Sequence, residues 1–250
     1  MTTLAVRNLS KSFGGVHAVR DLSFSVAAGE RLAMIGPNGA GKTTCFNLID
    51  GQLRPDAGEI LLDGRRIHGM APRALCRLGI GRSFQVAAVF GSMTVRENVQ
   101  VALLARERRL GSVLSPASEV FSAEALSQLE GVGMAEQSHR SCAELAYGDL
   151  KRVELAVALA GRPRLLLMDE PTAGMAAPER RALMELVERI ARERNLSVLF
   201  TEHDMDVVFR HADRVIVLAE GKLLAQGAPA EVRADARVRA AYLGEDGGDA

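Results

Sequence analysis

The chain has 250 residues, of which 48% are hydrophobic, and its 31 basic residues balance its 31 acidic residues. This length and hydrophobic share are sufficient for one large domain with a buried core. The balanced charge argues against a nucleic-acid surface or a polybasic membrane anchor, so no nucleic acid is expected among the partners. The sequence contains neither a secretion-signal pattern at its N-terminus nor an apolar run of about 18 residues, so we expect a cytoplasmic location.

The first thirty residues predict short antiparallel strands. Apolar positions alternate with polar ones, and a Gly-Gly pair marks a turn. The expected strands lie at Leu4–Val6, around Phe13, at Val16–Val19 and over 22–26, with the turn at Gly14-Gly15.

A glycine-rich stretch follows the apolar run 32–35 and precedes a helical pattern. Its residues are Gly36, Pro37, Asn38, Gly39, Ala40, Gly41, Lys42 and Thr43, and the helix continues from Thr44. The spacing G-x-x-x-x-G-K-T predicts a phosphate-binding loop, because the glycines let successive N–H groups face one hollow and the helix start adds positive potential. A glycine turn without function is the alternative, but the strand before it and the helix after it favour the nucleotide loop.

Lys42 and Thr43 have separate expected roles in this loop. Lys42 is expected to reach the β- and γ-phosphates of a nucleotide as a point charge, and Thr43 is expected to offer its hydroxyl to Mg²⁺. The expected cofactors are therefore ATP and Mg²⁺, with residues 36–44 as the nucleotide site.

The middle of the chain mixes strands with a helical stretch. Strands are predicted over 58–64 and 80–85. Thr94, with Glu97 three residues later, forms a capping-box pattern that predicts a helix over 94–109, and a second helix is predicted over about 117–130. We therefore expect residues 86–143 to form a helical insertion.

From residue 149 onward, helices and strands alternate. The predicted helices cover 149–160, 178–194 and 204–211, and the predicted strands cover 165–168, 197–200 and 215–218. This alternation is typical of a mainly parallel sheet with helices on both faces, so the fold class is α/β with an N-terminal antiparallel β subdomain. A hairpin turn is predicted at Glu220-Gly221, short helices over 229–243, and a disordered tail over 244–250.

Two adjacent carboxylates follow the apolar run Leu165–Met168. Because ligands bind at the carboxyl ends of parallel strands, Asp169 and Glu170 are expected beside the glycine-rich loop. We expect Asp169 to hold Mg²⁺ through water and Glu170 to orient and partly deprotonate the attacking water. A solvent-exposed acidic turn is the alternative for such a pair taken alone.

The stretch that leads into the helix at 149–160 resembles a family motif. Residues Leu145, Ala146, Tyr147, Gly148 and Asp149 resemble the signature of ATP-binding cassette (ABC) proteins, usually LSGGQ. In that family this helix start caps the γ-phosphate of ATP bound to the opposing subunit, so residues 146–149 are expected to bind nucleotide across a dimer. This chain departs from the motif, because Ala146 lacks the usual hydroxyl and Tyr147 replaces the first Gly.

The remaining positions of the family pattern match residue by residue. Gln85 matches the glutamine that touches Mg²⁺ or the attacking water, and His203 matches the switch histidine that contacts the γ-phosphate. Phe13 matches the aromatic residue that stacks on adenine, with a core phenylalanine as the alternative. Ala176 stands where the family has an acidic residue, so the contacts across the dimer are expected to be weaker than usual.

The resemblance covers about residues 4–243 and implies a single ABC ATPase domain with a P-loop NTPase core. The implied core covers about 1–85 and 144–228, the helical subdomain about 86–143, and short helices with a tail cover 229–250. Residues 13–16, 82–85, 93–99 and 241–245 are similar to the ATP-binding subunits of branched-chain amino-acid importers. A lipopolysaccharide-export ATPase shares part of this pattern and is the alternative.

This resemblance implies an ATP-hydrolysing subunit that energises import of branched-chain or related hydrophobic amino acids. The implied partners are a second ABC ATPase subunit, identical or different, and integral membrane permease subunits. An extracytoplasmic substrate-binding protein is an indirect partner. The chain is then expected at the cytoplasmic face of the cell membrane, held there by the permease.

Two other classes are the rivals of this interpretation. The first is a soluble cassette that acts in DNA repair or translation, but the chain has neither very long coiled coils nor a second cassette. The second is a regulatory nucleotide-binding module that does not turn over. The presence of Lys42, Asp169, Glu170 and His203 argues against that module.

Overall fold

Helices and strands alternate along most of the chain after an N-terminus built of strands. The computed structural model describes residues 2–83, 89–107 and 120–243. The strands are β1 (Thr2–Phe13), β2 (Val16–Ala27), β3 (Arg31–Ile35), β4 (Ala57–Leu62), β5 (Arg65–Arg66), β6 (Ile80–Ser83), β7 (Leu165–Asp169), β8 (Ser197–Thr201), β9 (Arg214–Ala219) and β10 (Lys222–Gly227). The α-helices are α1 (Lys42–Ile49), α2 (Pro72–Leu78), α3 (Val95–Arg106), α4 (Ser122–Gly131), α5 (Tyr147–Ala160), α6 (Ala177–Arg194), α7 (Met205–His211), α8 (Pro229–Ala234) and α9 (Ala236–Leu243).

The N-terminal strands form an antiparallel sheet with the order β2-β1-β4-β5. The predicted antiparallel start and the turn at Gly14-Gly15 are confirmed, but the predicted short strands are two continuous strands of 12 residues each. Register shifts along β1 explain the difference, because irregular pairing lets a ladder continue past residues that interrupt the alternation.

The second sheet has six strands in the order β10-β9-β3-β8-β7-β6. Its pairs from β9 to β6 are parallel, and β10 pairs antiparallel with β9 after the turn at Glu220-Gly221. The predicted mainly parallel sheet is therefore confirmed. Its parallel strands direct their carboxyl ends to one edge, where the polar residues after β3, β7 and β8 come together.

Both faces of this six-stranded sheet are buried. Alternate residues of β3 show the division: Ala33 and Ile35 belong to one apolar core, and Leu32 and Met34 belong to the other. The first core includes side chains of α3 to α7, and the second includes α1, α2 and the antiparallel sheet. Each fully buried Leu or Ile contributes roughly 1.5–3 kcal/mol, so the sheet is the stable base on which the loops at its edge are held.

The helical stretch confirms one predicted helix start and corrects another. Thr94 caps α3 with a complete capping box, as its pairing with Glu97 predicted. The helix predicted from about 117 begins at Ser122 in the described residues, because Phe121 has a left-handed φ of 56° that a helix cannot include. Residues 108–109 of the first predicted helix and 117–119 of the second lie outside the described residues, as do residues 86–88 and 110–116 of the insertion.

Two differences concern elements that the sequence patterns left out or shortened. Helix α2 was not predicted, although Pro72 opens it and Gly79 ends it with a φ of 101°. Helix α5 begins at Tyr147, two residues earlier than predicted, because Ala146 in an extended conformation is its N-cap. Across the residues that the structure describes, none of the helices is long and apolar enough to span a bilayer.

Candidate nucleotide-binding site

The loop between β3 and α1 has a backbone that requires glycine. Gly36, Gly39 and Gly41 have φ values of 152°, 77° and 99°. A Cβ atom on Gly36 would lie 2.2 Å from the carbonyl oxygen of Leu218, and one on Gly41 would lie 2.3 Å from that of Ala18. The close approach of β9 and β2 therefore excludes side chains at these two positions, and the loop keeps the curled form that phosphate-binding loops share.

Lys42 turns its side chain back into this loop. Its ammonium donates to the carbonyl oxygen of Gly36 and, at 3.0 Å, to that of Pro37, and the residue is buried. The next residue, Thr43, is exposed in the first turn of α1, and Thr44 is half-buried. Asn38 is exposed as well, so the loop presents polar groups to solvent around a fixed positive charge.

Asp169 lies at the carboxyl end of β7 and is held through both oxygens. Its Oδ1 accepts a hydrogen bond of 2.8 Å from the hydroxyl of Thr201. Its Oδ2 lies 3.4 Å from one guanidinium nitrogen of Arg82. The other terminal nitrogen of Arg82 pairs with Asp50 at the end of α1. The side chain is buried, so the carboxylate has a fixed orientation at the sheet edge.

Glu170 and His203 come from different strand ends and meet in the structure. His203 Nε2 lies 2.7 Å from Glu170 Oε1. Because an ionised carboxylate only accepts hydrogen bonds, Nε2 donates to it. The His203 side chain is 54% exposed, so the pair lies at the surface above the sheet edge. The two adjacent carboxylates, Asp169 and Glu170, do not form a solvent-exposed acidic turn, since Asp169 is buried and Glu170 is held by His203.

The signature stretch lies at the start of α5. Ala146 and Tyr147 are exposed, Gly148 and Asp149 are half-buried, and Ala146 provides no side-chain cap to the helix. Gly148 faces α6, because a Cβ atom there would lie 3.3 Å from a carboxylate oxygen of Glu179. The Glu179 carboxylate accepts a hydrogen bond of 3.3 Å from the backbone N–H of Ala176. Ala176 is the residue that stands where the family has an acidic residue.

Phe13 is not a core residue. It ends β1 at the hairpin turn with 46% of its surface exposed, and the Lys11 ammonium lies 5.5 Å from the centre of its ring. The alternative of a buried core phenylalanine is therefore wrong. Gln85, the remaining predicted site residue, lies outside the described residues.

Three residues around this site were missed from the sequence. Arg82 and Thr201 hold Asp169, and Glu202 holds the loop that follows Glu170. The sequence feature that could have revealed them is a polar residue at or near the end of a strand. Arg82 lies in β6, Thr201 ends β8, and Glu202 follows Thr201. Sequence spacing alone does not pair them with β7, because the contacts cross about 30 to 90 residues.

Comparison with protein families gives two matches. The family described as "ABC transporter" matches residues 19–173. A second family, described as "Branched-chain amino acid ATP-binding cassette transporter", matches residues 222–248. Together they cover the nucleotide loop, the signature, the carboxylate pair and the C-terminal stretch.

Curated relatives match over the whole chain. The high-affinity branched-chain amino acid transport ATP-binding protein LivG of Salmonella typhimurium is 38% identical over 252 residues, which cover 97% of this chain and 98% of LivG. The lipopolysaccharide export system ATP-binding protein LptB of Escherichia coli is 33% identical over 246 residues, which cover 98% of this chain and 99% of LptB.

Solved structures match the fold at similar coverage. An ATP-binding cassette of an ABC transporter in its ADP conformation is 30% identical, with a TM-score of 0.88 over 98% of this chain and 99% of that chain. A dimeric ATP-binding cassette in a post-hydrolysis state with ADP and Pi is 25% identical, with a TM-score of 0.77 over 90% of this chain and 98% of that chain. The chain therefore belongs to the ABC transporter family, as one of its ATP-hydrolysing subunits.

Proposed function

We propose that this chain hydrolyses ATP to energise import of branched-chain or related hydrophobic amino acids through partner permease subunits. The observation that carries the hydrolytic part is the Glu170–His203 pair, 2.7 Å apart at the sheet edge. The cargo is supported by the LivG similarity and by the family match over residues 222–248.

In this proposal, residues 36–44 and Phe13 bind ATP. The backbone amides of the loop and the start of α1 face the phosphates, and Lys42 exchanges its carbonyl partners for phosphate oxygens. Phe13 stacks on the adenine, which its exposed position at the hairpin turn supports.

Mg²⁺ is the proposed metal, and the residues at the site fit it. The candidate ligands are the Thr43 hydroxyl, the Gln85 amide oxygen and Asp169, which acts through water; all are oxygen donors, as Mg²⁺ prefers. In the described ranges, no group of three or more His, Cys, Asp and Glu side chains could hold a metal by itself. When bound together with the nucleotide, the ion would neutralise charge on the phosphate oxygens.

Glu170 is the proposed base for hydrolysis. Its carboxylate orients a water molecule for attack on the γ-phosphate and accepts a proton as the new bond to phosphorus forms and the bond to the ADP oxygen breaks. His203 holds one oxygen of that carboxylate at 2.7 Å and is proposed to contact the γ-phosphate in the closed state. Gln85 is proposed to contact the attacking water or the metal.

We also propose that two chains share each ATP. Residues 146–149 of one chain cap the γ-phosphate bound to the loop of the other. The exposed start of α5 supports this arrangement, because the methyl side chain of its N-cap residue, Ala146, provides no cap to the first amides of the helix. The dimeric cassette with ADP and Pi is a structural relative that supports it as well. The partner is a second copy or a different ATPase subunit.

The helical subdomain is the proposed link to the permease. We propose that it consists of residues 86–143 and lies in the sequence between the core segments 1–85 and 144–228. Residue Phe90 is 55% exposed at its start, and Gly91 and Ser92 are exposed beside it. The exposed ring of Phe90 offers an apolar contact to a permease subunit at this position. The chain is then held at the cytoplasmic face of the membrane by the permease, and an extracytoplasmic binding protein selects the cargo.

Lipopolysaccharide export is the second candidate function. It rests on the LptB similarity, which also covers nearly the whole chain. Import is favoured because LivG is 38% identical and LptB 33%, and because the C-terminal family match names branched-chain amino acids.

Uptake measurements in the source cells test the proposed cargo. The chromosomal copy is replaced by a Glu170→Gln version, and uptake of labelled leucine, isoleucine and valine is compared with uptake of a charged amino acid. We expect loss of branched-chain uptake with unchanged uptake of the charged one. Normal branched-chain uptake together with loss of surface lipopolysaccharide would assign the chain to export instead.

A further inference from the structure

Glu202 is a buried carboxylate next to the proposed catalytic pair. It follows the last residue of β8 and precedes His203, and only 4% of its surface is exposed. Its Oε1 accepts from the backbone N–H of Thr172 at 2.9 Å and from the Thr172 hydroxyl at 2.7 Å. One side chain therefore joins the loop after β7 to the loop after β8.

The loop after β7 needs such support because of the backbone of Glu170. Its φ of 50° lies in the left-handed region, which is unfavourable for a residue with a Cβ atom. Such a conformation persists when its surroundings hold it. The Glu170 N–H donates to the Thr201 hydroxyl at 3.0 Å, and Thr172, two residues further on, is held by Glu202. Thr201 and Glu202 thus fix both sides of Glu170.

The same contact also bears on the other member of the pair. Glu202 directly precedes His203, so its bonds to Thr172 hold the loop from which the imidazole reaches Glu170 Oε1 at 2.7 Å. A rotation of either loop changes the direction of the Glu170 carboxylate. Misplacement by about 1 Å can cost about 10²-fold in rate, so the position of both loops matters for hydrolysis.

We propose that Glu202 is a positioning residue for ATP hydrolysis, which holds the loops of Glu170 and His203 in register and acts through them. The inference rests on the catalytic roles proposed for these two residues. Both donors of Thr172 reach Oε1 of the Glu202 carboxyl, and a methionine of similar length at position 202 would leave both without an acceptor. Burial raises the pKa of Glu202 above its ordinary value, and the hydrogen bonds from Thr172 partly oppose that rise.

The test compares Glu202→Met, Thr172→Val and Thr172→Ser in the purified full chain. Glu202→Met and Thr172→Val weaken the contact, and Thr172→Ser is the matched control that keeps both donors. We expect kcat for ATP to fall about 10- to 100-fold in the first two variants, with KM and the affinity for a fluorescent ATP analogue within about twofold of wild type. Thr172→Ser is expected to retain the wild-type kcat.

A double-mutant cycle separates positioning from general folding damage. In a Glu170→Gln background, adding Glu202→Met is expected to cause no further loss of the residual rate, because its route of action is already removed. An equal loss in both backgrounds would overturn the inference, as would a wild-type kcat in both Glu202→Met and Thr172→Val. A joint fall of kcat, analogue affinity and melting temperature in both of those variants would also overturn it.

Failure of the underlying roles has a different signature. If Glu170→Gln hydrolysed ATP at the wild-type rate, the role proposed for Glu170 would be wrong. An inactive Glu170→Gln beside a fully active Glu202→Met would reject the positioning role alone. The cargo assignment is tested separately by uptake.

Discussion

Replacement of Lys42 and replacement of Glu170 are expected to impair different steps, ATP binding and ATP hydrolysis. Lys42→Ala removes a charge paired with phosphates, and since hydrogen bonds to charged groups contribute about 1.5–3 kcal/mol, ATP affinity should fall at least about tenfold. Glu170→Gln keeps that charge and removes the base, so binding should persist while hydrolysis falls by about 10²- to 10⁴-fold. Equilibrium binding of ATP and single-turnover hydrolysis separate the two effects, and wild-type hydrolysis by Glu170→Gln would contradict the assignment.

Phe13→Ala is expected to change the ATP requirement and not the maximal rate. Stacking of a base on an aromatic ring is worth about 1–3 kcal/mol and acts far from the γ-phosphate, so half-saturation should need about 5- to 150-fold more ATP. Val16→Ala is the matched control, because Val16 pairs with Phe13 across the hairpin and is 68% exposed. Equal half-saturation in Phe13→Ala and wild type would show that the ring makes no contact with adenine.

The individual site residues were predictable to different degrees. Lys42, Thr43 and Asp169 follow from local spacing, because each stands at a fixed offset from a glycine or a strand end. Thr201 and Glu202 did not emerge, since their partners lie about 30 residues away and become neighbours only when β7 and β8 pair. The contact between Glu170 and His203 likewise could be recognised only once the fold was known.

At the scale of single elements, the start of α3 offers a stability test. Thr94 accepts from the N–H of Glu97, and the Glu97 carboxylate accepts from the Thr94 N–H at 2.7 Å. Thr94→Ala removes the cap, so denaturant unfolding should show a loss of about 1 kcal/mol. Thr94→Ser keeps a capping hydroxyl and serves as the control. Equal unfolding midpoints for Thr94→Ala and Thr94→Ser would contradict the capping role.

The starts of β3 and β9 are joined by an ion pair whose contribution depends on pH. Burial tends to raise the pKa of Asp213, but hydrogen bonds from the Arg31 side chain and backbone outweigh it and lower that pKa. Because the pKa of Asp213 is lower in the folded state, its ionised carboxylate stabilises the fold at pH values above about 4, the pKa of this group in the unfolded chain. That stabilisation is lost as the pH falls through the pKa of the folded state.

Asp213→Asn should therefore unfold more easily than wild type at pH 7, and the gap should narrow as pH falls below about 4. Urea unfolding across this pH range measures the gap. Glu185→Gln, at an exposed carboxylate of α6, is the control and should show no such gap at either pH. A gap for Asp213→Asn that stays constant with pH would contradict the charge-based account.

Most elements were predictable because hydrophobic periodicity and caps are local signals. The misses have physical causes in the backbone. Phe121 enters a left-handed conformation that no sequence rule required of a phenylalanine, and this delayed the start of α4. Helix α2 has seven residues and one fully buried side chain, Leu75, so its periodic signal was too short to detect.

For the whole molecule, alternating strands and helices were enough to predict an α/β fold with a parallel sheet. Strand order was beyond the sequence, because β3 lies between β8 and β9, more than 160 residues away, and only tertiary packing selects that place. That residues 86–143 form a separate helical unit stays a prediction, although α3 and α4 lie within this range. At this scale we propose that two chains share each ATP site.

The molar mass of Glu170→Gln in solution tests that shared site most directly. Light scattering is run on the variant with ATP and Mg²⁺ and with ADP, alone and beside its partner ATPase subunit. Because bound ATP then persists between the loop of one chain and residues 146–149 of the other, we expect about twice the mass of one chain with ATP and a monomer with ADP. A Glu170→Gln protein that binds ATP yet keeps the mass of a single chain, even with the partner present, would contradict the account.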